Sequence, residues 1–385
     1  MKSELQDKTL LVHLEGELNS SNADNVEKEL DELLGKQQFE KLVLDFAKIS
    51  YISSAGLRII LKLKQNYKDV SIIETTLEVY DIFQMTGFTN IMTIQKGLRR
   101  VDVKGAEVVG SGYYSTVYRV DKDTIIKVFN RVSDQAQIER ELTLAKEAFV
   151  LGIPTAISFD IVKVDDKMGV RFEMLDCQSL KNMILEYPDR REEFIDKYAA
   201  LLKKMNTTEC NSPIVPDMKQ AYLVKLSKIE QFLPEDVYKK LVKMFTAIPD
   251  RKTLIHGDCH FKNIMVQREE LLLIDMDTLS VGYPIFELAA LYAPYVAFNE
   301  DDPGNSLRFF GIHDDDSLDL YNKLINRYFG EKDSDEIRDK IKIVGYVHMI
   351  RWNRNNEPEN TKRLEGCKAR LFKLLEKYDD LDIGL

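Results

Sequence analysis

The chain has 385 residues, with 54 Lys and Arg against 64 Asp and Glu, a formal charge of −10, 44% hydrophobic residues and 31% charged. This is the make-up of a soluble globular chain of two or three domains, and the acidic balance argues against a nonspecific nucleic-acid partner. No apolar run is long enough to cross a bilayer, the N-terminus has no signal-like apolar core, and Cys177, Cys210, Cys259 and Cys367 show no CxxC spacing, so the sequence predicts a cytoplasmic protein with reduced thiols, without membrane, disulfide framework or zinc finger.

In chain order, residues 9–14 read as a strand. Ser20, Ser21 and Asn22 offer helix-capping oxygens, and Val26, Leu30, Leu33 and Leu34 follow at helical spacing, with Gly35 as a stop. Residues 41–46 form a short apolar strand carrying Asp45. Ser53, Ser54, Ala55 and Gly56 then precede a helical run over 57–63. Residues 70–73 read as another strand and 77–85 as a short amphipathic helix. Repeated strand–helix units predict a small α/β domain. It shows no catalytic set, so docking or regulation is its expected role.

The segment LVLDFAKISYISSAGLRIIL, with GELN before it and LEVYDIFQMTGFTNIMTI after it, resembles the STAS domain, the fold of anti-sigma-factor antagonists and of the cytoplasmic tails of sulfate transporters. The resemblance covers residues 3–97 and implies a regulatory protein partner. In that family a serine or threonine at a helix N-terminus takes a phosphate, where free N–H groups and the helix dipole favour an anion. The family pattern is Asp-Ser-Ser/Thr-Gly. Aligned on Gly56, Ala55 stands at the acceptor position, Ser54 matches the preceding serine and Ser53 replaces the aspartate. Ser53 and Ser54 therefore read as helix caps, with phosphorylation of either as the alternative.

Residues 97–105, GLRRVDVKG, carry four charges and two glycines between two patterned regions. This places the STAS-like domain at 1–97 and a linker at 98–105. A second domain follows, with a first lobe at 106–175 and a second at 176–385.

The second domain opens with EVVGSGYYSTVYR. Gly110 and Gly112 lie between Val108/Val109 and Val117/Tyr118, which read as paired strands. A glycine-rich hairpin brings backbone N–H groups to a phosphate with no side chain in the way, although alone the pattern also describes an ordinary turn. The run TIIKVF sets Lys127 among apolar residues. A buried lysine needs an anion, which a nucleotide phosphate supplies; the alternative is a lysine on the polar face of an edge strand. A helical segment over 135–151 contains Glu139, Glu141 and Glu147. Glu141, about three turns before Gly152-Ile153-Pro154, is expected to face Lys127, with Glu139 pointing elsewhere.

The stretch LIHGDCHFKNIMVQREELLLIDMD holds His256-Gly257-Asp258, then Asn263, then Asp275 and Asp277 after an apolar run. A loop, a short strand, a turn at 268–270 and a second strand ending in acids bring Asp258, Asn263 and Asp275 to one edge. Such oxygen ligands suit magnesium, and a carboxylate beside a substrate hydroxyl orients it and accepts its proton.

HGDxxxxN followed by IDxD resembles the catalytic core of the aminoglycoside phosphotransferase and choline kinase group, whose fold is related to protein kinases; GIPTA and GYPIFELAALY fit the same comparison. The resemblance runs over 105–385. It implies a bilobal α+β protein-kinase-like domain behind the α/β STAS-like domain, and an ATP-dependent phosphotransferase that uses Mg2+. Carried over by position, Asp258 is the catalytic base, Asn263 and Asp275 hold magnesium with Asp277 close behind, Lys127 binds the α- and β-phosphates, and Glu141 orients Lys127. Gly110, Ser111, Gly112 and Ser115, with the backbone around Glu173, Met174 and Leu175, contact the nucleotide. HGD in place of the protein-kinase HRD favours a small-molecule hydroxyl acceptor. Two alternatives stay open: a nucleotide-sensing regulatory protein with little turnover, and a kinase of a protein substrate.

Other features weigh less. Cys259 and His260 read as loop residues rather than soft-metal ligands. Asp301-Asp302 and Asp314-Asp315-Asp316 read as solvated loops rather than a seat for a polyamine-like substrate. Trp352, near Tyr346 and Arg351, reads equally as core or as the wall of an acceptor pocket.

Overall fold

The computed structural model describes residues 1–112, 115–130 and 135–385. They divide into two compact units, residues 1–102 with 162–166, and residues 103–161 with 167–385.

The first unit is built from β1 (Lys2–Gln6), β2 (Thr9–Leu18), α1 (Ala23–Leu34), β3 (Lys41–Ile52), α2 (Ser54–Asn66), β4 (Asp69–Thr75), α3 (Leu77–Met85) and β5 (Thr93–Lys96). The strands lie side by side in chain order, antiparallel between β1 and β2 and parallel after that. Strand alternation turns Leu10, Val12 and Leu14 inward on β2, and Leu42, Leu44 and Phe46 inward on β3. Both strands run past their apolar pattern, because the ladder between them continues through register shifts at His13/Glu15 and Gly16/Glu17. The mostly exposed edge strands β1 and β5 carry no apolar alternation and escape a reading of the sequence.

Capping differs between the first two helices. Asn22 precedes α1 but makes no side-chain cap; its Oδ1 accepts from the Asn19 N–H at 2.9 Å instead. Ser53 does cap α2, its Oγ accepting from the Ala55 N–H at 3.2 Å, while Ser54 is exposed as the first helical residue. Gly56 is set by packing. A Cβ there would lie 2.7 Å from both Cβ and the carbonyl oxygen of Leu18, so only glycine lets α2 lie this close to β2.

The second unit opens with β6 (Glu107–Ser111), β7 (Ser115–Arg119), β8 (Thr124–Phe129), α4 (Gln135–Val150) and β9 (Lys167–Glu173). The strands lie in the order β9-β8-β7-β6, antiparallel throughout. Tyr113 and Tyr114 of the glycine-rich motif lie outside the described residues. Beyond β9 the unit is mainly helical. It includes α5 (Leu180–Glu186), α6 (Arg191–Thr207), the hairpin β10 (Ile264–Gln267) and β11 (Glu270–Leu273), and α7 (Ile285–Tyr292). Every residue of α7 is buried, as expected for a helix that is apolar nearly all round and sits in the centre of a core. Arg268 and Glu269 turn the hairpin with φ of 48° and 72°, the paired left-handed geometry of a two-residue loop.

Candidate active site

A cavity of about 340 Å³ opens between the strands and the helical part of the second unit. Gly110, Ser115, Val117 and Ile125 form one wall, Met265, Ile274 and Met276 the other, and Glu173, Met174 and Leu175 line one end. Ser111 and Gly112 are not among the lining residues. The slot is apolar along its length and charged where Lys127, Glu141 and Asp275 meet. Glu173 also has a structural task, its Oε1 accepting from the Ile157 N–H at 2.7 Å. The N–H groups of Glu173 and Met174 donate to the carbonyls of Ile157 and Asp123 at 2.9 and 2.8 Å. This stretch therefore offers a base edge its carbonyls and the Leu175 N–H.

Lys127 sits mid-strand on β8, opposite Val117 and Val170. Its Nζ donates to Glu141 Oε1 at 2.7 Å and to Asp275 Oδ1 at 2.8 Å. Glu141 comes from the buried face of α4, whereas Glu139 lies on the exposed side. Burial opposes the Lys127 ammonium, but Asp275 and Glu141 hold it well above the ordinary lysine range. Burial pushes the Glu141 carboxyl up against the pull of Lys127. Burial also works against ionised Asp275, yet the adjacent Lys127 keeps that carboxyl below the usual range.

The loop carrying Asp258 is braced from below. His256 is fully buried; its Nε2–H donates to the Ile274 carbonyl at 3.1 Å, and its Nδ1 accepts from the Asp258 N–H at 3.3 Å. Burial holds this imidazole down to about 4, so it stays neutral. Gly257 turns the loop at φ +82°, with Thr278 only 3.2 Å from where a Cβ would stand. The Asp258 side chain stays 48% exposed, with its Oδ2 accepting from Asn263 Nδ2 at 3.1 Å. The Ile274 N–H donates to the Asn263 carbonyl at 3.0 Å, which sets the Asn263 and Asp275 backbones side by side. Asp275 adopts φ 67°, ψ 65°, a left-handed conformation that is uncommon for non-glycine residues and most open to Asp and Asn.

Sequence reasoning missed Glu287. It is fully buried on α7 and accepts from the His256 N–H at 2.5 Å and the Gly257 N–H at 3.3 Å. The available signal was a lone acid inside the apolar run of α7. Also missed were Tyr198, whose hydroxyl donates to the Cys259 carbonyl, and Tyr295, whose hydroxyl accepts from the Phe261 N–H at 2.9 Å. Together these groups fix both ends of the loop.

Charge at this edge is unbalanced. Glu141 and Asp275 share the Lys127 ammonium, and Asp258 and Asp277 add two carboxylates with no ion-pair partner of their own from a lysine or arginine among the described residues. Desolvation by the cleft walls and the charge of Asp275 push the carboxyls of Asp258 and Asp277 up to about 7. Asn263 Oδ1 has no hydrogen-bond partner among the described residues. Surplus carboxylates and an unengaged amide oxygen are the donors a hard divalent cation takes, so these residues fit magnesium. Among the described residues no group of three or more His, Cys, Asp and Glu side chains is spaced to hold a metal; the donor set here depends on the Asn263 amide.

Most acids of the two runs are engaged rather than solvated, while Asp315 is exposed. Asp301 pairs with Arg370, and Asp302 accepts from Arg308 at 2.5 Å and lies 3.4 Å from Arg363. Asp314 accepts from the N–H groups of Gly304 and Ser306 at 2.6 and 3.2 Å, and Asp316 lies 3.6 Å from Arg191. Trp352 packs edge-on against Phe298, 4.7 Å between centroids, and is not part of the cavity lining. Cys259 and His260 are buried within the loop.

The STAS domain family matches residues 1–100, and the phosphotransferase enzyme family matches residues 105–314. The chain belongs to the phosphotransferase enzyme family, as an aminoglycoside phosphotransferase-like kinase with a STAS domain ahead of it. Over 92 residues the chain is 35% identical to BtrV of Bordetella bronchiseptica, described as an anti-sigma factor antagonist, covering 23% of this chain and 78% of that one. It is 29% identical over 89 residues to the anti-sigma F factor antagonist of Paenibacillus polymyxa, covering 22% and 76%. Among solved structures, a choline/ethanolamine kinase family protein from Mesorhizobium loti matches with TM-score 0.46 and 16% identity over 70% of this chain and 91% of that one. The amicoumacin kinase hAmiN, solved with AMP-PNP, Ca2+ and Ami, matches with TM-score 0.48 and 14% identity over 78% and 96%.

Proposed function

We propose that the second unit transfers the γ-phosphoryl group of ATP to a hydroxyl of a small molecule, with magnesium at Asn263 and Asp275, and that the STAS domain docks a regulatory protein partner. The single observation behind this is Lys127 held between Glu141 and Asp275, 2.7 and 2.8 Å away, beside the hydrogen-bonded pair Asp258 and Asn263. The apolar slot suits a base. Lys127, kept charged by two carboxylates, suits the α- and β-phosphates. A divalent cation bound there neutralises phosphate oxygens. Asp258 accepts the proton of the acceptor hydroxyl as that oxygen bonds to the γ-phosphorus. The bond from phosphorus to the β–γ bridging oxygen breaks, and its electron pair leaves with ADP. The four free thiols suit a reducing cytoplasm.

Calorimetric titration of ATP with magnesium tests the site. The wild-type protein should bind, and an Asn263→Ala, Asp275→Ala double variant should lose the magnesium-dependent part of that affinity. Undiminished magnesium–ATP binding in the variant contradicts the assignment.

A further inference from the structure

We propose that the phosphoryl acceptor is a hydroxylated anion, its carboxylate or phosphate held by Lys181 and Lys262 while its hydroxyl meets Asp258; this rests on the phosphotransferase reading above. The two lysines come from different elements and converge beside the Asp258 loop. Lys181 is the second residue of α5, its N–H donating to the Phe261 carbonyl at 3.1 Å, and its Nζ reaches Gly311, 3.9 Å from where a Cβ would stand there. Lys262 follows Phe261 in the loop itself. Its Nζ lies 4.2 Å above the Phe309 ring and 3.4 Å from the Phe309 carbonyl oxygen. Neither lysine has a carboxylate partner within ion-pair distance among the described residues, and they repel each other.

The polar side chain between Asp258 and Phe309 also lacks a partner. His260 is 7% exposed, its Nε2 stands 3.6 Å from Asp258 Oδ1, and its ring meets Phe309 edge-on at 5.5 Å. Its Nδ1 is buried with no hydrogen-bond partner. A buried polar atom left unpaired costs about 1–3 kcal/mol.

A cationic acceptor would need free carboxylates around Asp258. Of the acids flanking Phe309 in sequence, Asp302 is committed to Arg308 and Arg363, Asp314 to the backbone of Gly304 and Ser306, and Asp316 lies beside Arg191, while Asp315 is exposed. Beside Asp258 stand two ammonium groups that no carboxylate pairs among the described residues, and a flexible lysine suits a carboxylate or phosphate as a point charge.

The test uses the full chain, saturated with magnesium and a non-hydrolysable ATP analogue, and four probes on one three-carbon diol frame: glycerate, glycerol 3-phosphate, glycerol and 3-aminopropane-1,2-diol. Calorimetry should show binding of one or both anions and none of the neutral or cationic probe; which anion binds separates carboxylate from phosphate recognition. Lys181→Met and Lys262→Met should each weaken the anion about tenfold. The proposal is overturned if the amino diol binds as tightly as the anions, if no probe binds, or if anion affinity survives both substitutions. It is also overturned if Lys262→Met loses the nucleotide and keeps the anion, which assigns that lysine to the nucleotide phosphates. A wild-type protein that never loads the analogue defeats the phosphotransferase reading first, and this proposal with it.

Discussion

Lys127 Nζ and Asp275 Oδ1 meet at 2.8 Å although 148 residues separate them in the chain. One residue comes from the middle of β8 and the other from just past β11, so this contact ties the strand-rich part of the second unit to the hairpin that follows the Asp258 loop. The same ammonium reaches Glu141 at 2.7 Å. Removing either partner therefore acts through the other. Lys127→Ala should lower kcat/KM by about 10²-fold or more, the scale of losing one preorganised donor to developing charge. Glu141→Ala should cost part of that by freeing the lysine, and the double variant should lose less than the sum. Steady-state kinetics on the three proteins checks this; full additivity would separate Glu141 from Lys127.

Glu287 gives a pH signature. Burial raises its carboxyl from 4.5 to about 7 in the folded state. A raised carboxylate pKa stabilises the fold below the unfolded value, and that advantage is lost as pH rises through the folded value. For a fully buried group the window is worth about 3 kcal/mol. Glu287→Gln keeps an acceptor for the His256 N–H but does not titrate. The stability of wild type relative to this variant should therefore be larger near pH 5 than near pH 8, read from urea denaturation at both. A difference independent of pH would mean that Glu287 does not titrate in this window.

In the first unit, Gly56→Ala puts a methyl group 2.7 Å from Leu18 and should destabilise the protein by about 1–3 kcal/mol. Ser53→Ala removes the N-cap of α2 and should cost about 1 kcal/mol. Denaturation followed by circular dichroism measures both.

Ala55 sits where the family pattern has its phosphoryl acceptor. Mass spectrometry after co-expression with a partner kinase should find no phosphate at the α2 N-terminus. Stoichiometric phosphate on Ser53 or exposed Ser54 would restore a switch there.

Much of this was legible locally. The alternation of β8 with one lysine, and the spacing of Glu141 from the helix-ending Gly152-Ile153-Pro154, were enough to pair the two residues. Asp258, Asn263 and Asp275 came from a hairpin whose turn and apolar strands are contiguous in sequence. Glu287 was not legible, because its partners are backbone N–H groups 31 and 30 residues away and an acid in an apolar helix announces no partner. Asp302 looked solvated because Arg363, 61 residues on, is invisible to any local window. The edge strands β1 and β5 bury too little to leave an alternating pattern.

The role proposed for Asp258, base in transfer from ATP, is decided by ATP turnover of wild-type and Asp258→Asn proteins, with nucleotide affinity measured on the same samples. Asparagine keeps the shape and removes the charge and basicity. Turnover should fall by about 10²- to 10⁴-fold with nucleotide affinity little changed. A folded Asp258→Asn protein that turns ATP over at close to the wild-type rate would contradict it.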